Sequence, residues 1–235
     1  EVKESLEIPL ERIMSYPTLL VEPGDGLTDV VKKFSYHNLG ALGVVSEHGM
    51  LQGIVTLRDL IGLMGISSNQ LGVKVSEIMN RRMITIKSHS PVSLAVQLMS
   101  EGRIRRLPVV SEVGELLGVV TNKDILRLLA KLGGDGYSTP LFDRPISEVM
   151  TSEVISIGHE DDVRVAASRM MIFGVGGLLI SDLPSNELAL VTERDLIRNI
   201  ATKRSIEFLV NAMQYELEAS DSAGRARAPS HATSL

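Results

Sequence analysis

The feature that most constrains the fold is one stretch that recurs three times at a fixed distance from its own marker. Gly53-Ile54-Val55-Thr56-Leu57-Arg58-Asp59 returns as Gly118-Val119-Val120-Thr121-Asn122-Lys123-Asp124, and again as Ala189-Leu190-Val191-Thr192-Glu193-Arg194-Asp195. Each Asp lies 45 positions after a methionine: Met14, Met79 and Met150. Three units of about sixty residues that align without net insertion are internal repeats. Each must be one supersecondary structure that buries its apolar face against another.

Apolar periodicity gives the unit as β-α-β-β-α. In unit 1, Pro17–Val21 reads as a strand stopped by Pro23-Gly24-Asp25-Gly26. Thr28 is expected to cap a helix whose Val30, Val31, Phe34 and Leu39 fall near one stripe. Ala41–Ser46 and Leu51–Leu57 read as a hairpin across Glu47-His48-Gly49, and a second helix opens at Asp59. Unit 2 repeats the order with Met83–Ile86, Val92–Met99, Leu107–Val110, Leu116–Thr121 and Asp124–Leu132. Unit 3 follows with Val154–Ile157, Val163–Met171, Gly177–Ile180, Leu188–Thr192 and Asp195–Ile200. The expected fold class is therefore α/β (α+β), built from tandem motifs.

The Thr-x-x-Asp junction has two readings. A strand that delivers Thr to a helix start makes a capping box with the acid three residues on, worth about 1 kcal/mol and implying no ligand. The same geometry exposes free N–H donors at the positive end of the helix dipole, where Thr can donate to a phosphate or ribose oxygen and Asp can accept from ribose hydroxyls. Three copies in the same place favour the second reading without removing the first.

Composition closes off other chemistries. Cysteine is absent, which excludes disulfides, thiolate nucleophiles and Cys-based zinc sites. Aromatics are 3% and Trp is absent, so Leu, Ile, Val and Met must build the core. The net charge of −5 argues against a nucleic-acid surface. The five histidines are scattered without metal-ligand spacing, and there is no GxSxG or GxxxxGK motif. The acidic run Glu160-Asp161-Asp162 starts a helix and needs no catalytic role. No run of 18 apolar residues occurs, so the expectation is a soluble, cytoplasmic protein without a membrane partner.

The three units, each ending G/A-h-h-T-x-x-D, resemble CBS motifs, the adenosine-ligand sensors found in archaeal and bacterial stand-alone regulatory proteins. Unit 2 is the closest match, because Ile104-Arg105-Arg106-Leu107-Pro108-Val109 also fits the pattern. Unit 3 is the weakest, with Gly176-Gly177 where unit 2 has Arg105-Arg106. The resemblance implies that motifs pair through their sheets. A Gly/Pro/Ser-rich linker at 133–140 marks the best boundary. The expected division is thus a motif pair over 8–132 (8–66 and 74–132), motif 3 over 145–203, an amphipathic helix over 204–219, and a disordered tail over 220–235. Motif 3 is expected to find its partner in a homodimer, with another protein or the C-terminal helix as alternative covers.

The resemblance also implies two clefts. In the first, Thr121, Lys123 and Asp124 with Arg105 and Arg106 would hold ribose and phosphate, and Leu19 and Leu39 would enclose the base. In the second, Thr56, Arg58 and Asp59 would face Ile84 and Ile104. Thr192 and Asp195 of motif 3, with Arg194 as basic support, are equally readable as a cap or a site. The Arg pair should make the first cleft favour a phosphorylated ligand. The expected ligand is AMP, ADP, ATP or S-adenosylmethionine, with no cofactor required. The reading is a non-catalytic regulator that passes a ligand-dependent change to a protein partner. Its rival is a scaffold or oligomerisation module with empty clefts, and a catalytic or DNA-binding role has no supporting motif.

Overall fold

The computed structural model describes residues 9–16, 18–66, 70–131, 141–184 and 187–202. The expected C-terminal helix and tail lie outside these residues. Each unit forms a three-stranded sheet with its central strand parallel to the first and antiparallel to the third. Unit 1 has β1 (Leu20–Val21), α1 (Leu27–His37), β2 (Ala41–Val45), β3 (Leu51–Thr56) and α2 (Leu57–Ile66). Unit 2 has β4 (Ile86–Lys87), α3 (Val92–Gly102), β5 (Arg106–Val110), β6 (Leu116–Thr121) and α4 (Asn122–Lys131). Unit 3 has β7 (Ser156–Ile157), α5 (Val163–Ile172), β8 (Gly177–Ile180), β9 (Leu190–Thr192) and α6 (Glu193–Thr202).

Two local expectations are corrected. Helix α1 starts one residue before Thr28, and its N-cap is Gly26, with no side-chain capping bond. The first strand of each unit is two residues long rather than four or five, because only those residues reach the central strand. The residues ahead of it stay extended and become cleft wall. Ahead of these again, each unit opens with a short lead-in that carries a 3-10 turn: Leu10–Arg12, Val75–Glu77 and Ile146–Glu148.

The pairing of units also differs from expectation. Units 2 and 3 exchange lead-ins. Asn80 forms an antiparallel bridge with Leu190 on β9, and Thr151 forms one with Val119 on β6. The exchange is locked on one side by Asp162, which caps α5 at the Arg164 amide and accepts from the Leu71 and Gly72 amides. Val75 and Ile78 of the unit 2 lead-in are therefore buried in the core of unit 3, and Ile146 of the unit 3 lead-in in the core of unit 2.

Unit 1 packs on unit 3 through helices, α2 against α5 and α1 against α6, and the two units share one apolar core. The physical reason is size. A Cβ at Gly65 would meet the Ser168 backbone nitrogen at 3.1 Å, and the Ser168 hydroxyl donates to the Gly65 carbonyl at 2.6 Å. Gly62 and Gly65 on α2 let it lie against Ala167, Ser168 and Met171 on α5. The corresponding positions of α4 are Arg127 and Ala130, so that helix lacks the glycine pair. Motif 3, expected to lack a partner within the chain, is joined to unit 2 by the exchanged lead-ins and to unit 1 by helices.

Candidate functional site

All three Thr-x-x-Asp junctions form the capping box. The Thr hydroxyl donates to the Asp Oδ2 at 2.7 Å for Thr56–Asp59, 2.6 Å for Thr121–Asp124 and 2.6 Å for Thr192–Asp195. The same oxygen accepts the Thr amide at 2.8, 2.8 and 2.9 Å. One carboxylate oxygen is thus committed to the helix start. In unit 2 the other oxygen, Asp124 Oδ1, accepts from the exposed Arg127 side chain at 3.1 Å, a contact that water or a ligand can replace.

A cavity of about 390 Å3 opens beside the unit 2 junction. Its walls bring Thr121, Lys123 and Asp124 together with Arg105 and Arg106, as the sequence suggested. The facing apolar wall is Val154, Ile155 and Val175 of unit 3. Leu19 and Leu39 are not part of it: Leu19 is 36% exposed, and Leu39 packs on the core shared by units 1 and 3. Ile155 and Val175 lie 136 positions after Leu19 and Leu39. The type of position was therefore legible, but the unit supplying it was not, because the exchange joins unit 2 to unit 3.

The second expected cleft is rearranged for the same reason. Thr56 and Arg58 of unit 1 reach the far side of this same cavity rather than facing Ile84 and Ile104. Arg58 pairs with Glu193 at 3.1 Å. Ile84 is 43% exposed, and Ile104 packs on the unit 2 core. The Asn80–Leu190 bridge brings the segment leading to Ile84 to the strand that ends at Thr192. Thr192 and Asp195 are thus related to unit 2 as Thr121 and Asp124 are to unit 3. Asp59 lies beside a shallower groove between α2 and α5.

Arg106 dominates the electrostatics. Burial pulls its pKa well below the ordinary guanidinium value, down to about 10, and Arg105 and Arg194 add repulsion that Glu193 and Asp195 offset. Burial lowers the pKa of Arg194 as well. A guanidinium removed from water among other cations is a receptor for an anion. Its place is made by unit 3: a Cβ at Gly176 would come within 2.9 Å of the Arg106 guanidinium, and one at Gly177 would collide with it. Gly176-Gly177 stands 71 positions after Arg105-Arg106. The departure from the motif in unit 3 is therefore complementary to the basic pair in unit 2, a signal the sequence carried but that pairing alone makes readable.

Three segments of the chain, residues 10–65, 75–131 and 146–202, match the CBS domain model. This chain belongs to the CBS-domain family. It is 30% identical over 217 residues to a 33.4 kDa protein in the ribosomal RNA operon of Thermofilum pendens, covering 90% of this chain and 71% of that one. It is 36% identical over 107 residues to protein MK0525 of Methanopyrus kandleri, covering 45% of this chain and 55% of that one. The crystal structure of protein MJ1225 from Methanocaldococcus jannaschii has the same fold, with a TM-score of 0.73 at 22% identity over 82% of this chain and 70% of that one. The chain thus spans about half to seven tenths of the length of these relatives. Among the described residues, no His, Asp or Glu cluster could hold a metal ion, and no helix is long and apolar enough to cross a membrane.

Proposed function

We infer that this CBS protein is a non-catalytic regulator that binds an adenine nucleotide in the cleft between units 2 and 3 and passes the change to a protein partner. The observation that carries the reading is the single cavity that joins Thr121, Asp124 and the arginine pair to an apolar wall of Val154, Ile155 and Val175. Phosphates would sit against Arg105, Arg106 and Lys123, where charge-assisted hydrogen bonds relieve the buried guanidinium. Asp124 would accept from the ribose hydroxyls, and the base would lie on the aliphatic wall. The cavity volume suits a nucleotide-sized molecule. Arg58 and Glu193 line the same cavity and bridge units 1 and 3, so a bound phosphate would compete for Arg58 and alter the packing between units.

Calorimetric titration with AMP, ATP, S-adenosylmethionine and adenosine tests the reading, alongside Asp124→Ala and Arg105→Ala. Saturable binding that Asp124→Ala abolishes, and a preference for AMP or ATP over adenosine that Arg105→Ala weakens, are the expected results. Absence of binding by all four in the folded protein overturns it and leaves the scaffold role, in which the capping boxes are structural.

A further inference from the structure

The three helices that carry the Thr-x-x-Asp motif open on one shared backbone bond and three different side chains. The amides of Leu57, Asn122 and Glu193 donate to the Gly40, Arg105 and Gly176 carbonyls at 3.2, 3.1 and 3.3 Å. Two units make this junction without an acid, so the fold does not require one there. A second contact repeats as well. Arg58 of unit 1 donates to the Gly174 carbonyl of unit 3, and Arg194 of unit 3 donates to the Asn38 carbonyl of unit 1, each at 3.4 Å. Donors and acceptors both stand 136 positions apart, so units 1 and 3 clasp each other reciprocally. Glu193 belongs to one half of this pair, and its counterpart in the other half is Leu57. The clasp, too, forms where no glutamate is supplied.

What sets Glu193 apart is where its carboxylate lies. Its side chain is 13% exposed and lines the cavity between units 2 and 3. Oε1 faces Arg58 Nη2 at 3.1 Å, yet it makes no hydrogen bond among the described residues. Oε2 lies 3.2 Å from the point where a Gly176 Cβ would stand, and Arg106 Nη2 lies 2.9 Å from the same point. The carboxylate is therefore flanked by two guanidinium groups, in a place where either could hold a bound anion. A buried carboxylate oxygen without a hydrogen bond is costly unless cations compensate it. Of the other acids that line the cavity, Asp124 is committed to its helix start and Glu153 is exposed.

On the reading of this cavity as a nucleotide site, we propose that Glu193 is a built-in counter-anion that limits how many phosphates the site accepts. It favours a nucleoside monophosphate over the triphosphate. One phosphate beside a ribose held by Asp124 is met by Arg105, Arg106 and Lys123. Further phosphates extend the chain towards Arg58 and meet the Glu193 carboxylate there. Like charges repel strongly in a site shielded from water. Arg58 cannot serve both anions: to hold a phosphate it must leave Glu193, whose carboxylate then stays buried with its nearest cation withdrawn. A monophosphate avoids that cost. Leu57 and Asn122 show that the acid is dispensable to the helix start, so its charge acts on what enters the cavity.

Calorimetric titration of the full chain with adenosine, AMP and ATP, first in EDTA and then with magnesium, compares the parent with Glu193→Gln and Glu193→Leu. Gln keeps the shape without the charge, and Leu is the residue that unit 1 already carries at the equivalent position. The parent should bind AMP about tenfold more tightly than ATP in EDTA. Both variants should tighten ATP by about tenfold while AMP and adenosine change by about threefold or less. A parent that binds AMP and ATP alike, or variants that leave their ratio unchanged, overturn the proposal and leave the nucleotide site standing. Absence of binding by all three in the folded parent overturns the nucleotide reading itself. Magnesium that tightens ATP in the parent but in neither variant also overturns the proposal, because Glu193 would then hold the metal of the metal–triphosphate complex. Far-UV circular dichroism checks that both variants fold. Unfolding of both overturns it too, since the acid would then be a requirement of the fold.

Discussion

Arg106 offers the sharpest test of the cleft, because function and stability should oppose each other there. Burial lowers its pKa from the ordinary guanidinium value to about 10. A base whose folded value lies below its ordinary value destabilises the fold wherever both states are protonated. The cost is full below about pH 10 and disappears as pH rises through the ordinary guanidinium range. At about 1.4 kcal/mol per unit the shift sets an upper bound near 3 kcal/mol, and partial access to water brings the expected cost to roughly 1–2 kcal/mol. Arg106→Met keeps the length and apolar stem but removes the charge, and Glu193 retains Arg58 as a partner. The variant should therefore be about 1–2 kcal/mol more stable than the parent without ligand at pH 7. Urea denaturation followed by circular dichroism at neutral pH measures this, since Trp is absent. Added ATP should stabilise the parent and have little effect on the variant, while adenosine should affect both alike. A variant less stable than the parent, or one that keeps its full ATP response, would refute the argument that a strained cation is held there for an anion.

The remaining predictions concern the interfaces. Gly65→Val should lower stability by about 3 kcal/mol or more, because the new side chain runs into the Ser168 backbone at 3.1 Å; thermal unfolding reads this out. Asp162→Ala removes a cap and the acceptor for two lead-in amides, and should cost about 2 kcal/mol with faster hydrogen exchange at Leu71 and Gly72. Gly177→Ala should displace the Arg106 guanidinium and weaken ATP binding at least tenfold in calorimetry, with adenosine binding little changed.

The repeat, the β-α-β-β-α order and the three capping boxes were determined by the sequence itself, because they depend on local periodicity and on residues three apart. The same locality placed Thr121, Lys123, Asp124, Arg105 and Arg106 around one junction, since a strand end, a helix start and the adjacent strand are bonded neighbours. Which unit would face that junction was decided by tertiary structure. Leu19 and Ile155 occupy the same repeat position and are equally apolar, so local pattern cannot choose between them. The choice rests on Gly62 and Gly65 admitting α5, on Gly176 and Gly177 admitting Arg106, and on lead-ins that cross between units 2 and 3. Such small-residue complementarity acts between segments roughly a hundred residues apart, and it acquires meaning only once both partners are in place.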